Sequence, residues 1–252
     1  MIWNFLNTGF HTATFNMELD EALARQLHAG IGSEVLRVYG WKPHAISIGF
    51  NQHADDFDAL KLQEAGIDLV QRPTGGRAIL HAHELTYCAV VHVKETFGPR
   101  AIYRFINQGL LCGLHLLGIP AELYSGDDDT QKMYRSPSSI PCFTSSAKSE
   151  IQFDGRKLVG SAQRRFGSVV LQHGSLLLGP QHRKISKYLS SQVQDSREII
   201  EDNLLHHTTD AETILGRSIS FEEAAWCIKE GFERECDITF EDTLNLVASS
   251  HA

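Results

Sequence analysis

Apolar residues return at helical spacing over residues 15–29, where Met17, Leu19, Ala22, Leu23 and Leu27 predict a helix that Gly30 ends. Residues 34–39 and 44–50 are short apolar runs with β-branched members, separated by Gly40 to Pro43, and they read as two strands paired with each other. Residues 56–65 predict a helix closed by Gly66. Residues 67–71 then form a strand that runs into Arg72-Pro73-Thr74-Gly75-Gly76-Arg77. From 78 to 93 the pattern again suits strand. Leu85, Tyr87, Ala89 and Val91 alternate with Thr86, Cys88, Val90 and His92, and with both sets fairly apolar the strand is expected to be covered on both faces.

Further along, residues 101–117 suit a helix. Residues 124–147 are rich in Ser, Asp and Pro and predict a long irregular loop, a kind of segment that often carries function. Residues 151–153 and 156–159 flank Asp154-Gly155, and Asp-Gly between two strand-like runs predicts a hairpin. Residues 169–178 form another strand. After Gly179-Pro180 the chain turns helical, and Ser220 with Glu223 reads as a capping box opening a helix over 221–233.

Strands therefore dominate 34–178, and a helical part follows from about 181. The hairpins imply an α/β (α+β) fold: a mixed, partly antiparallel sheet flanked by helices. We read residues 1–252 as one domain. The chain contains no G-x-G-x-x-G and no G-x-x-x-x-G-K-[ST], so a doubly wound dinucleotide fold is not expected.

Composition narrows the function. A hydrophobic fraction of 42% and a charged fraction of 21% are ordinary for a globular chain. The net charge of −8 argues against non-specific nucleic-acid binding, which needs a basic surface. No apolar run approaches the roughly 20 residues of a membrane helix, and the N-terminus lacks the basic leader and apolar core of a signal peptide. The five cysteines are scattered without a Cys-x-x-Cys, which suggests reduced thiols in a cytoplasmic protein. The thirteen histidines show no zinc-ligand spacing.

Four segments carry candidate chemistry, each with a blander reading beside it. In the 72–81 segment, Gly75-Gly76 permits close approach of a ligand to the backbone, and Arg72 and Arg77 suit a carboxylate or phosphate; the alternative is a plain hairpin turn. Lys157 follows Asp154-Gly155 and is adjacent to the small run Gly160-Ser161-Ala162; a lysine so placed is more often a solvated surface residue. Cys142 lies in the polar loop after Pro141, where a lone cysteine is more often an inert hydrophobe than a nucleophile. His173 sits in an apolar strand beside Gly174, either as a core histidine or at a point where a ligand meets the backbone. A thiol is a good nucleophile only as thiolate, and a nearby cation favours that form, so Cys142 folded back near Lys157 would suit an acyl thioester.

Taken together, Arg-x-Thr-Gly-Gly-Arg-Ala-x-Leu-His-x-x-Glu-Leu-Thr-Tyr (72–87), Gly-Arg-Lys-Leu-Val-Gly-Ser-Ala-Gln (155–163) and Leu-Gln-His-Gly-Ser-Leu-Leu (171–177) resemble the biotin/lipoate-protein ligase superfamily, in the family's order over roughly residues 1–240. The resemblance is closest to the octanoyltransferase branch that looks like lipoate-protein ligase A. Arg77 stands where ATP-using ligases tend to have a third glycine, and Cys142 sits ahead of the lysine hairpin, where this branch keeps its nucleophile. Gln71 and Ala82 depart from the commoner arginine and aspartate, and Ala82 weakens any nucleotide or metal role there.

The resemblance implies a class II biotin/lipoate ligase-like catalytic domain. It implies transfer of an octanoyl group from octanoyl-acyl-carrier protein to a lysine of a lipoyl domain or glycine cleavage H protein, without metal or cofactor. Cys142 and Lys157 would be catalytic. Arg72, Thr74, Gly75, Gly76, Arg77, His81, Gly160, Ser161, Ala162, His173 and Gly174 would contact substrate. Arg72, Arg77, Arg156, Lys157, Arg164 and Arg165 are expected to form a basic patch for acidic partners. An ATP-dependent lipoate ligase, an octanoyl relay between lipoyl proteins and a non-catalytic acyl-binding protein stay open as alternatives.

Overall fold

The computed structural model describes residues 1–124 and 150–242. Cys142, with the rest of the loop that contains it, lies outside the described residues. In chain order the elements are β1 (Ile2–His11), α1 (Ala13–His28), β2 (Val35–Trp41), β3 (Ala45–Ile48), α2 (Ala59–Ala65), β4 (Asp68–Gln71), β5 (Ile79–His81), β6 (Glu84–His92), α3 (Pro99–Leu116), β7 (Glu122–Leu123), β8 (Ile151–Phe153), β9 (Arg156–Phe166), β10 (Val169–Leu177), α4 (Arg197–His207), α5 (Ala211–Leu215), α6 (Phe221–Cys236) and β11 (Thr239–Asp242). Short 3-10 stretches over Pro180–Tyr188 and Ser191–Ser196 lead into α4.

Local chemistry accounts for the ends of these elements. Thr12 caps α1 through its side chain, Asp58 caps α2 by accepting from Leu60 N and Lys61 N, and Ser220 caps α6 by accepting from Glu223 N. Gly66 ends α2 in the left-handed region, as the sequence predicts. At the β8–β9 hairpin Asp154 and Gly155 both adopt positive φ, the conformation that an Asp-Gly turn permits.

The strands form two sheets. The larger runs β11-β1-β2-β6-β10-β9-β8-β7, and the smaller runs β4-β3-β5. In the larger sheet β11, β1 and β2 are parallel neighbours, and every later pairing is antiparallel. This is the mixed, partly antiparallel sheet expected. Two details differ from the sequence reading. The runs around 34–39 and 44–50 do not pair with each other: β2 already has β1 on one edge and β6 on the other, so β3 pairs with β4 and β5. The single strand expected over 78–93 is two, β5 and β6, divided between the sheets. The strands β1 and β11 at the chain's two ends were not expected either, and β11 returns from the helical part to the sheet edge beside β1.

Period-two alternation sorts the core. On β6, Leu85, Tyr87, Ala89 and Val91 face a cluster with Ile102, Ile106 and Leu110 of α3 and Ala224, Ile228 and Phe232 of α6. Cys88 and Val90 face a second cluster with Met17 and Leu27 of α1. The smaller sheet packs through Ile46, Ile48 and Leu80 on Ile185, Leu189, Ile200 and Leu204. Among the described residues no helix is long and apolar enough to cross a membrane.

The α3–α6 contact depends on glycine. An added Cβ at Gly231 would collide with the backbone of Gly113 and with Gly109 O. Gly231→Ala is therefore expected to destabilise the fold by about 1–3 kcal/mol, despite alanine's better helix propensity. Urea unfolding checks this; a stabilised variant would show that the helices do not approach as described.

Candidate active site

Arg72 follows the strand β4 and turns its guanidinium back onto its own loop. Its Nε donates to Gly75 O (3.1 Å), Nη1 to Ser47 O (3.0 Å) and Ser47 Oγ (3.2 Å), and Nη2 to Gly75 O (2.9 Å) and Arg77 O (2.7 Å). A guanidinium has five N–H donors, so this clamp engages as many bonds as it can donate. The turn is held from β3 as well, where Phe50 N donates to Thr74 O (2.9 Å) and Arg72 N to Ile48 O (2.9 Å). Gly49 must be glycine, because an added Cβ would run into Gly76 O. Gly76 has φ of 87°, whereas a Cβ at Gly75 would meet open space. Arg77 is buried.

Two buried relays of the same kind, carboxylate to histidine to hydroxyl, stand behind this turn. Asp20 Oδ2 lies 3.1 Å from His173 Nδ1, and His173 Nε2 lies 2.6 Å from Thr74 Oγ1. Asp20 also accepts from Arg37 Nη1 (2.6 Å) and Tyr39 OH (2.7 Å). Burial opposes the charge on Asp20, yet Arg37 and the hydrogen bonds prevail and hold its carboxyl below the usual range. Burial also holds His173 down, so the ring is neutral near pH 7. A neutral ring beside a carboxylate carries its proton on Nδ1, and Nε2 then accepts from Thr74.

The second relay has the same order of groups. Glu84 Oε1 lies 3.0 Å from His81 Nδ1, and His81 Nε2 lies 2.8 Å from Ser47 Oγ. Arg72 Nη1 donates to Ser47 Oγ as well, so the hydroxyl is held between the guanidinium and the imidazole. Trp41 stacks on His81 at 4.0 Å between ring centroids and donates to Glu84 Oε1 (3.1 Å) and Thr86 Oγ1 (2.8 Å).

These groups wall a cavity between the two sheets and α1, with about 370 Å³ of empty space counted to its open mouth. Of the residues the sequence singles out, Arg72, His81, Gly160, Ser161, Ala162, His173 and Gly174 line it, together with Met17, Tyr39, Trp41, Ser47, Ile79, Thr86 and Ser175. Thr74 stands one bond behind His173. Antiparallel pairing of β9 with β10 sets Gly160 opposite Ser175, Ser161 opposite Gly174 and Ala162 opposite His173. Ser161 is fixed by Tyr87 OH at 2.7 Å. The polar atoms of the two relays bond to one another, which leaves the wall apolar in character.

Lys157 does not line this cavity. It lies upstream on the same strand, about 10 Å from Gly160 at strand rise. The structure buries it, against the solvated place that a lysine after an Asp-Gly turn usually takes: it is 3% exposed, and its Nζ donates to Glu150 Oε1 at 2.7 Å. Its carbonyl accepts from Thr209 N (3.0 Å), and His182 Nε2 lies 2.8 Å from the neighbouring Thr208 Oγ1. The expected basic patch is divided. Arg72, Arg77 and Lys157 are interior; Arg156 and Arg164 are half-buried and Arg165 is exposed. Arg164 donates to Pro73 O (2.7 Å) and lies over the exposed Phe50 ring at 4.7 Å, beside the glycine turn.

Asp20, Ser47, Glu84 and Glu150 were not singled out from the sequence. Asp20 is one of several acidic residues on an amphipathic helix, and nothing local marks it. Glu84 follows His81 at three residues within the quoted motif. The hairpin register held a signal for Glu150: β8 runs back antiparallel to Lys157, which brings the residue just before it into reach. Among the described residues no group of three or more His, Cys, Asp or Glu is arranged to hold a metal.

Known proteins resemble this chain over most of its length. Residues 12–233 match the family model described as the lipoyl protein ligase A/B catalytic domain. The chain is 33% identical over 241 residues to octanoyltransferase LipM of Lysinibacillus sphaericus, covering 94% of this chain and 87% of that protein. It is 37% identical over 236 residues to octanoyltransferase LipM of Kyrpidia tusciae, covering 91% and 85%. Lipoate-protein ligase A bound with ATP superposes with a TM-score of 0.74 at 21% identity, over 96% of this chain and 89% of that one. A bipartite lipoate protein ligase from Thermoplasma acidophilum gives 0.76 at 20%, over 96% and 87%. These structures share the fold expected from the motifs.

His182 makes the support of the Lys157 strand testable. Burial pushes its imidazole down to about 4 from an ordinary 6.5. Between those values the unfolded chain binds a proton that the folded chain does not. Stability from this group is thus complete above about pH 6.5 and lost as pH falls toward 4, about 3 kcal/mol in all. Urea unfolding at pH 7 and pH 4.5 is expected to show a smaller pH dependence in His182→Gln than in the unsubstituted protein. An equal dependence would contradict the buried neutral ring.

Proposed function

Because the chain belongs to the lipoyl protein ligase A/B catalytic domain family, we propose that it is an octanoyltransferase of lipoate biosynthesis that carries its acyl group on Cys142. The observation that carries this reading is the likeness, over nearly the whole chain, to proteins named octanoyltransferase. The donor is octanoyl-acyl-carrier protein, and the acceptor is a lysine of a lipoyl domain or glycine cleavage H protein. A reducing cytoplasm keeps Cys142 a thiol.

The chemistry proceeds in two exchanges. The Cys142 thiolate attacks the donor carbonyl; a C–S bond to the enzyme forms, the C–S bond to the carrier breaks, and the carrier thiol leaves with a proton. One thioester replaces another, so no ATP is consumed. The acceptor lysine, having lost its ammonium proton, then attacks the enzyme thioester. A C–N bond forms, the Cys142 sulfur leaves, and the step is downhill because an amide is more stable than a thioester. Lys157 stabilises negative charge on sulfur and on the carbonyl oxygen. The octanoyl tail occupies the cavity between Gly160–Ala162 and the Arg72 turn.

Two features support Cys142 in this role. Burial pushes the thiols of Cys88, Cys112, Cys227 and Cys236 up, the last to about 12. None of the four lines the cavity. The half-buried Arg164 beside the glycine turn and the exposed Arg165 that follows it suit an acidic protein substrate.

Incubation with octanoyl-carrier protein in the absence of ATP is expected to add one octanoyl group to the intact enzyme. The group should be labile to hydroxylamine and absent from Cys142→Ala. Lys157→Ala is expected to retain binding and lose about 100-fold or more in rate. Labelling that requires ATP and free acid would identify a ligase instead. Faster loading from an acylated lipoyl protein than from the carrier would identify a relay enzyme, and acyl binding without transfer a binding protein.

A further inference from the structure

Resting on the reading that Lys157 serves acyl transfer, we propose that Glu150 is a positioning residue for that lysine: its carboxylate fixes the ammonium in place and charged, so Lys157 acts as a stationary cation and hydrogen-bond donor and not as the base. The geometry is short and enclosed. Nζ and Oε1 are 2.7 Å apart, and both side chains are less than a tenth exposed. Out of water, a carboxylate at that distance favours the charged form of its partner.

The second oxygen of Glu150 strengthens the case. Oε2 is buried and, among the described residues, makes no hydrogen bond. A carboxylate serving stability alone would normally engage both oxygens. Glu150 instead commits its bonded oxygen to Lys157. Both backbones are anchored from outside the hairpin. Glu150 O accepts from Tyr124 N (2.8 Å), and Lys157 O accepts from Thr209 N (3.0 Å). The pair is therefore set in place before any ligand arrives, which is what a group stabilising transient charge requires.

The proton inventory follows. Lys157 keeps its three protons through both exchanges and donates hydrogen bonds to the reacting carbonyl. The acceptor lysine sheds two protons: its ammonium proton goes to solvent water before attack, and the second leaves the attacking nitrogen as the amide forms and passes, directly or through water, to the departing Cys142 sulfur.

The test is a double-mutant cycle on kcat per folded molecule, with the folded fraction read by circular dichroism. Glu150→Gln and Lys157→Met are each expected to lower kcat by 100-fold or more, with KM for the octanoyl donor changed less than 3-fold. The double variant, an ion pair replaced by neutral groups, should lose no more than Lys157→Met alone. Glu150→Asp, which keeps the charge but withdraws it by one methylene, should fold and lose about 10-fold in kcat. A kcat within 3-fold of the unsubstituted enzyme in Glu150→Gln, or in Glu150→Asp should the Gln variant not fold, overturns the proposal while leaving Lys157 intact. Additive losses in the double variant overturn it as well, because Glu150 would then act on substrate independently. An unimpaired Lys157→Met would instead remove the role of the lysine itself.

Discussion

Lys157 Nζ and Glu150 Oε1 lie 2.7 Å apart with both side chains shut away from water, and the pair joins β9, just past the Asp154-Gly155 turn, to the residue that precedes β8. Taking two charges out of solvent costs several kcal/mol per ion before their attraction offsets it, and removing one partner typically costs about 3–5 kcal/mol. A neutral pair would be easier to accommodate there. The rest of the hairpin holds the two backbones in place. The Asp154-Gly155 turn sets the register, and Thr208 and Thr209 close over the Lys157 backbone. His182 holds Thr208 from behind.

The cavity downstream on β9 solves a different problem. An acyl chain needs an apolar slot, yet the turn that approaches it is made of backbone carbonyls and polar side chains. Arg72 gathers the carbonyls of Ser47, Gly75 and Arg77. The two carboxylate–histidine–hydroxyl relays satisfy Ser47, Thr74, His81 and His173 within the wall. The histidines thereby serve as oriented structural elements, with each ring nitrogen already bonded. The same clamp leaves Gly75 facing open space, where a ligand can reach the backbone.

Much of this was legible in the sequence where a local rule decides the outcome. Gly66, the Asp154-Gly155 turn and the Ser220 cap each act within a few residues, and the structure agrees at each. The alternation on β6 correctly announced a strand covered on both faces. What was not legible depended on long-range competition. The run at 44–48 pairs with β4 and β5 because both edges of β2 are already taken. Lys157 looked solvated because its cover at Thr208 and Thr209 comes from a distant part of the chain. Asp20 reaches His173 only because α1 packs across β6 and β10. Arg72 looked ready for an anion, while in the fold its donors turn inward. The motif residues around the cavity were identifiable together, as a family pattern, when no single one of them was distinctive.

In the proposed acyl-enzyme, one acyl chain lies in the cavity while its carbonyl reaches the Glu150–Lys157 pair. A crystal structure of the octanoyl-loaded enzyme tests it most directly. The account predicts the alkyl chain between Gly160–Ala162 and the Arg72 turn, with the thioester carbonyl on Cys142 within hydrogen-bond distance of Lys157 Nζ and that atom still on Glu150. A chain bound elsewhere, or a carbonyl with Lys157 Nζ out of reach, would contradict it.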